Sequence, residues 1–82
     1  MIIGKITGSV VSTRKNEKLV GSKFLIVQPL DKEIHSIVAI DNVGAGIGET
    51  VLVATGSAAR IGCAMTDAPV DAAIVGIVDE EQ

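Results

Sequence analysis

Six consecutive residues, Gly44-Ala45-Gly46-Ile47-Gly48-Glu49, form the stretch of this 82-residue chain that looks most like a ligand cradle. A glycine-rich loop cradles phosphate when it opens a helix whose N-terminus receives the anion. The spacing is against that use here. A dinucleotide fingerprint, G-x-G-x-x-G, wants its third glycine where Glu49 stands. The residues that follow, ETVLVAT, read as a strand, and no Lys-Ser/Thr pair follows to complete a P-loop. What remains is a connection poor in Cβ atoms, which lets another backbone come close, that of a neighbouring subunit included.

His35 and Cys63 are the two side chains with nucleophilic or metal-binding character. A cysteine–histidine catalyst needs a third, orienting group, and one His with one Cys is half of a zinc site. No C-x-x-C or H-x-x-x-H spacing occurs, and Cys63 stands among Gly62, Ala64 and Met65, the setting of a small buried thiol. Asp41, Glu49, Asp67, Asp71 and Asp79 fall at strand ends or in loops. Carboxylates there accept backbone N–H bonds or stay solvated. No catalytic residue, cofactor or metal site is expected. Arg60, the only cation after residue 41, is expected to pair with a carboxylate of its own or an adjacent subunit, with Glu49 and Asp71 the best candidates.

The elements that would position these residues are short strands. β-branched residues dominate, and residues 2–13 alternate, with Ile2, Gly4, Ile6, Gly8 and Val10 on one face. A charged turn covers Arg14 to Lys18. Further strands are expected at Leu19–Gln28, with Gly21 as a possible bulge, and at residues 34–41, Glu49–Thr55 and Ala72–Val78. Residues 57–65 read as the one short helix, with Ser57 as N-cap. The expected fold is all-β: a small five-stranded barrel with one short helix between strands four and five, in a single domain over residues 1–82. Strands one and five each carry a mid-strand glycine and could close the barrel against one another.

Composition adds a constraint on assembly. Hydrophobic residues make up 48% of the chain, yet aromatics are 1%, the single Phe24. Aliphatic surface in that amount exceeds what one small core hides, so an obligate oligomer is expected. Formal net charge is −3 and lopsided: residues 1–41 hold six basic and four acidic side chains, while residues 42–82 hold Arg60 and six acidic ones, Asp79, Glu80 and Glu81 among them. A nucleic-acid-binding barrel needs a basic groove and aromatic stacking platforms. An acidic chain with one aromatic argues against that runner-up, and no nucleic-acid partner is expected. No apolar run approaches the ~20 residues of a membrane span. A lone cysteine forms no intrachain disulfide, so a cytoplasmic setting without membrane contact is expected.

Read in order, GSVVSTRK (8–15), KFLIVQPLD (23–31), VAIDNVGAGIGETVLV (38–53), GSAAR (56–60) and PVDAAIVGIVD (69–79) resemble one family. These are the pentameric vertex proteins of bacterial microcompartments, which include carboxysome and ethanolamine-utilisation shell subunits. The resemblance implies a barrel related to the oligonucleotide-binding fold and a homopentamer capping a vertex of a polyhedral shell in the bacterial cytoplasm. It also implies hexameric facet proteins as partners and no enzymatic activity. The family's motif positions fall on Gly44, Ala45, Gly46, Gly48 and Glu49, and on Gly56, Ser57, Ala58, Ala59 and Arg60. Both stretches are expected at subunit contacts or near the pore. The connection 31–36 is short compared with many relatives.

Overall fold

The computed structural model describes residues 1–13, 15–64 and 67–79. The expected turn at Arg14, the helix end at Met65 and the acidic tail residues Glu80 and Glu81 lie outside the described residues. Five strands form a closed barrel: β1 Ile2–Val10, β2 Lys23–Pro29, β3 Ile37–Asp41, β4 Thr50–Thr55 and β5 Ala72–Ile77. One helix, α1 Ser57–Gly62, joins β4 to β5. The all-β class, the strand count and the place of the helix agree with the sequence reading.

The closure does not follow the expected pairing of the first and last strands. Around the barrel the order is β1-β2-β3-β5-β4, and β1 closes against β4 with Ile2 opposite Val53 and Lys5 opposite Thr50. β5 enters between β4 and β3, antiparallel to the first and parallel to the second, where it pairs at Ile40–Ala73 and Asp41–Ile74. A glycine in each of two strands marks where curvature is possible, not which strands meet. The two glycines also differ. A Cβ on Gly4 would stand 2.6 Å from Val27 Cγ1 and 2.8 Å from the Gln28 carbonyl oxygen, whereas one on Gly76 would meet Leu52 at an ordinary 3.9 Å.

β2 and β3 start three or more residues later than expected because local hydrogen bonds take the chain first, and α1 starts one residue earlier because of a glycine's backbone conformation. Before β2, the Asn16 side chain accepts from the Lys18 N–H and caps a single 3-10 turn over Glu17–Leu19. Gly21 then turns the chain at φ +86°, so it is a turn residue and not a strand bulge. Before β3, the Asp31 carboxylate accepts from Glu33 N–H, and the Gln28 amide donates to the Ile34 carbonyl, leaving residues 34–36 in a loop. At α1 the N-cap is Gly56, at φ 65° and ψ −143°, and Ser57 is already the first helical residue. That backbone conformation is essentially reserved for glycine, so the chain leaves β4 one residue earlier than a serine cap requires.

Two apolar clusters hold these elements. Inside the barrel, Ile6, Leu25, Val27, Val51, Val53 and Ile74 are at most 1% exposed. Outside it, under α1, lies a second cluster of Ile40, Ala59, Cys63, Ala68, Val70 and Ala73. Phe24 is half-buried against this second cluster and does not fill the barrel interior. The interior is built from aliphatic side chains alone.

Candidate subunit-contact site

The loop between β3 and β4 is built around a buried carboxylate. Asp41, the last residue of β3, has a side chain 1% exposed. Its Oδ1 accepts from the Val43 N–H and its Oδ2 from the Ala45 N–H, both at 3.1 Å. The Lys23 ammonium, directly across the β2–β3 ladder, sits 3.4 Å from the same Oδ2. It also donates to the Ala45 carbonyl at 2.6 Å. Ala45 is thereby drawn into the barrel cluster, where it is 1% exposed.

The rest of the motif is pinned as firmly. Gly44 and Gly48 turn the chain at φ +84° and +94°, conformations that favour glycine, and no atom lies near a Cβ built on either. Their glycines are thus demanded by the turn and not by a neighbour in the same chain. The Glu49 carboxylate accepts from the Gly46 N–H at 2.8 Å. The residue that breaks the nucleotide fingerprint is the residue that closes the loop. Gly48 N–H donates to the Ile6 carbonyl and Ile6 N–H to the Glu49 carbonyl, both at 2.9 Å, which extends the β1–β4 ladder. Ile47 is left at the outer side, 67% exposed.

The GSAAR stretch opens α1 at the other end of β4. Gly56 N–H donates to the Asp71 carbonyl at 2.8 Å, and Ala59 is fully buried under the helix. Ser57 and Ala58 are exposed and Arg60 is half-buried. Arg60 Nη1 donates to the Val70 carbonyl at 3.1 Å. Among the described residues of its own chain, Arg60 forms no ion pair with Glu49, Asp71 or any other carboxylate. The intrachain half of that expectation is therefore replaced by a carbonyl contact, for which the guanidinium is within reach because β5 starts beneath α1. The two stretches flank β4 at its opposite ends, about 20 Å apart at 3.3 Å per residue. One chain does not bring them together.

The remaining reactive groups are dispersed or occupied. Cys63 is buried, with its thiol directed to the Arg60 carbonyl at 3.7 Å, and His35 is exposed in the β2–β3 loop. Asp67 carries an ion pair with Lys18 at 2.9 Å. The hydrogen bond from Lys18 and then its charge hold that carboxyl below its ordinary value. Among the described residues, no three of His, Cys, Asp and Glu converge as a metal site would require. One surface groove is lined by Phe24, Val38, Ile40, Val70, Asp71 and their neighbours, with Asp71 its single ionisable group. The asset of this surface is apolar area. Val11 and Ile61 are 90% and 73% exposed. The exposed surface of 5173 Å² exceeds the roughly 4,600 Å² expected of a folded monomer of this mass.

Comparison with known proteins decides the family. Residues 1–79 match the family model described as "Ethanolamine utilisation protein EutN/carboxysome". The chain belongs to this family. It is 47% identical to the bacterial microcompartment shell vertex protein GrpN of Rhodospirillum rubrum, over 96% of this chain and 93% of that protein. It is 49% identical to the carboxysome shell vertex protein CcmL of Synechocystis, over 96% and 83% of the two chains. Among solved structures, CcmL of Nostoc superposes with a TM-score of 0.92 at 46% identity, covering all of this chain and 93% of that one. The pentameric microcompartment shell protein GrpN superposes with a TM-score of 0.85 at 45% identity, covering 100% and 96%. None of these relatives is described as binding nucleic acid, and nothing in them supports the oligonucleotide-binding alternative.

What the sequence missed was the clip beneath the glycine loop. Asp41 is one of the carboxylates expected to accept backbone N–H bonds or stay solvated, and it takes the first course. Its partner Lys23 lies 18 positions away, and only the β2–β3 register places the two side by side.

Proposed function

We propose that this chain is a non-catalytic shell subunit whose homopentamers cap the vertices of a polyhedral bacterial microcompartment in the cytoplasm. The observation that carries the reading is the near-complete superposition on a shell protein described as pentameric. The physical chemistry of the chain supports it. A small aliphatic barrel with surplus apolar surface gains stability from a subunit interface. A five-fold ring requires a heterologous contact, one surface of each subunit against a different surface of the next. The two motif stretches, at opposite ends of β4, are suited to be two such surfaces. On this reading the exposed Gly44, Gly48 and Glu49 at one end, and Gly56, Ser57 and Ala58 at the other, lie at subunit contacts or near the axis. Ala45 and Ala59 support them from inside their own subunit.

A flat lattice of hexamers closes into an icosahedral shell only at twelve five-fold positions, so the implied partners are hexameric facet proteins. Co-expression with such facet proteins tests this directly. Closed polyhedral shells are expected when this chain is present, and open or tubular assemblies when it is omitted. Identical shells with and without the chain would remove the capping role.

A further inference from the structure

The Lys23–Asp41 pair does more than tie β2 to β3. We infer that these two residues are positioning residues for the contact loop, holding residues 43–45 so that Ile47 is presented in a fixed place to a neighbouring copy of this chain. This inference rests on the proposed function, since it takes the loop to be a subunit contact.

The geometry carries it in three steps. First, the Asp41 carboxylate is 1% exposed and would be costly to bury alone, but its oxygens take two loop N–H groups and the Lys23 ammonium. Second, Lys23 grips the same loop residue from its other side by donating to the Ala45 carbonyl at 2.6 Å. Ala45 is therefore held at both its N–H and its C=O by one ion pair, and its methyl enters the barrel cluster. Third, drawing Ala45 inward turns the next residues outward, and Ile47 stands 67% exposed between glycines whose turns are closed by Glu49 and Ile6. A large apolar side chain on a pinned loop has already lost the freedom that binding would otherwise remove. A second copy fits this surface because the chain also exposes other large apolar side chains, Val11 and Ile61 among them, and a solved pentameric relative superposes over all of this chain.

The test uses Lys23→Met, Lys23→Arg and Ile47→Ser in the full chain. Each is followed by amide hydrogen exchange at Val43 and Ala45, by ring dissociation on dilution, and by far-UV circular dichroism for the barrel. The Lys23 side chain is itself 52% exposed, and Lys23→Met leaves both loop N–H bonds to Asp41 available while removing its counter-charge, so the circular dichroism reading separates a loosened loop from a lost barrel. The expected result for Lys23→Met is exchange at Ala45 faster by on the order of tenfold, and dissociation at a concentration higher by a similar factor, with the barrel intact. Lys23→Arg, which keeps charge and reach, is expected to restore both. Ile47→Ser is expected to weaken the ring by on the order of tenfold or more while leaving exchange at Val43 and Ala45 unchanged. If Ile47→Ser leaves the ring intact, the loop is not a subunit contact, and the reading on which the clip depends is overturned. If Ile47→Ser weakens the ring but Lys23→Met changes exchange alone, or changes nothing, the positioning role is overturned while the contact stands.

Discussion

At the scale of single residues, two glycines that look alike in the sequence make opposite predictions. Alanine at Gly4 would place its methyl 2.6 Å from Val27 Cγ1 and 2.8 Å from a backbone oxygen, and backbone cannot step aside. Gly4→Ala is expected to cost about 1–3 kcal/mol, seen as a lower denaturation midpoint. At Gly76 the same methyl meets only ordinary contact at 3.9 Å, so Gly76→Ala is expected to be neutral or stabilising by up to about 1 kcal/mol. Equal losses at both sites would contradict the packing account. Arg60 gives a second prediction at this scale. Within the chain its guanidinium bonds the Val70 carbonyl, tying α1 to the segment before β5. Arg60→Ala is expected to lower stability by about 1 kcal/mol through that bond. A carboxylate of an adjacent subunit would add a loss of assembly on dilution. Unchanged melting and unchanged oligomeric state together would remove both roles.

At the scale of elements, the turns decide where strands and helices begin. Gly56 occupies a conformation closed to other residues, so Gly56→Ala is expected to destabilise by about 1–3 kcal/mol. Ser57 makes no capping hydrogen bond, and Ser57→Ala should change stability by less than about 0.5 kcal/mol, as thermal unfolding would report. The Lys18–Asp67 pair ties the 3-10 turn to the segment after α1 at an exposed site, where such pairs add little. Its folded-state carboxyl titrates below the ordinary 3.8, so any contribution is full above that value and is lost as pH falls through the lower one. Wild type and Asp67→Asn should therefore differ by a constant small amount from pH 5 to 8 and converge in acid. Strand positions are legible in outline, from alternation over residues 2–13 and from β-branched, nearly continuous apolar character at Ala72–Val78. Their neighbours are not. β5 reaches its place between β3 and β4 only after α1 redirects the chain, and no local pattern in AAIVGI records that step. The element starts at Lys23 and Ile37 were missed for a related reason: Asn16, Asp31 and Gln28 compete locally for backbone groups that apolar alternation alone would assign to strands.

At the scale of the whole molecule, a barrel with an all-aliphatic interior carries a surface larger than a folded monomer of this size needs, with large apolar side chains exposed on it. The expectation of an oligomer comes from composition, since 48% hydrophobic residues with a single Phe leave aliphatic surface that one core cannot cover. The arrangement of the contact does not. The glycine loop and the GSAAR stretch are separated by the length of β4, so the proposed contact between them needs a second subunit. Heterologous rings of this kind, formed through obligate apolar interfaces, hold on dilution and leave little folded monomer. Native mass spectrometry of the purified chain across a dilution series is the most direct measurement of this claim. Five 8.4 kDa chains are expected to give a single species at about 42 kDa that persists to low micromolar concentration. A monomer or dimer under those conditions would contradict the vertex role, and a hexamer would keep the fold while removing the five-fold cap.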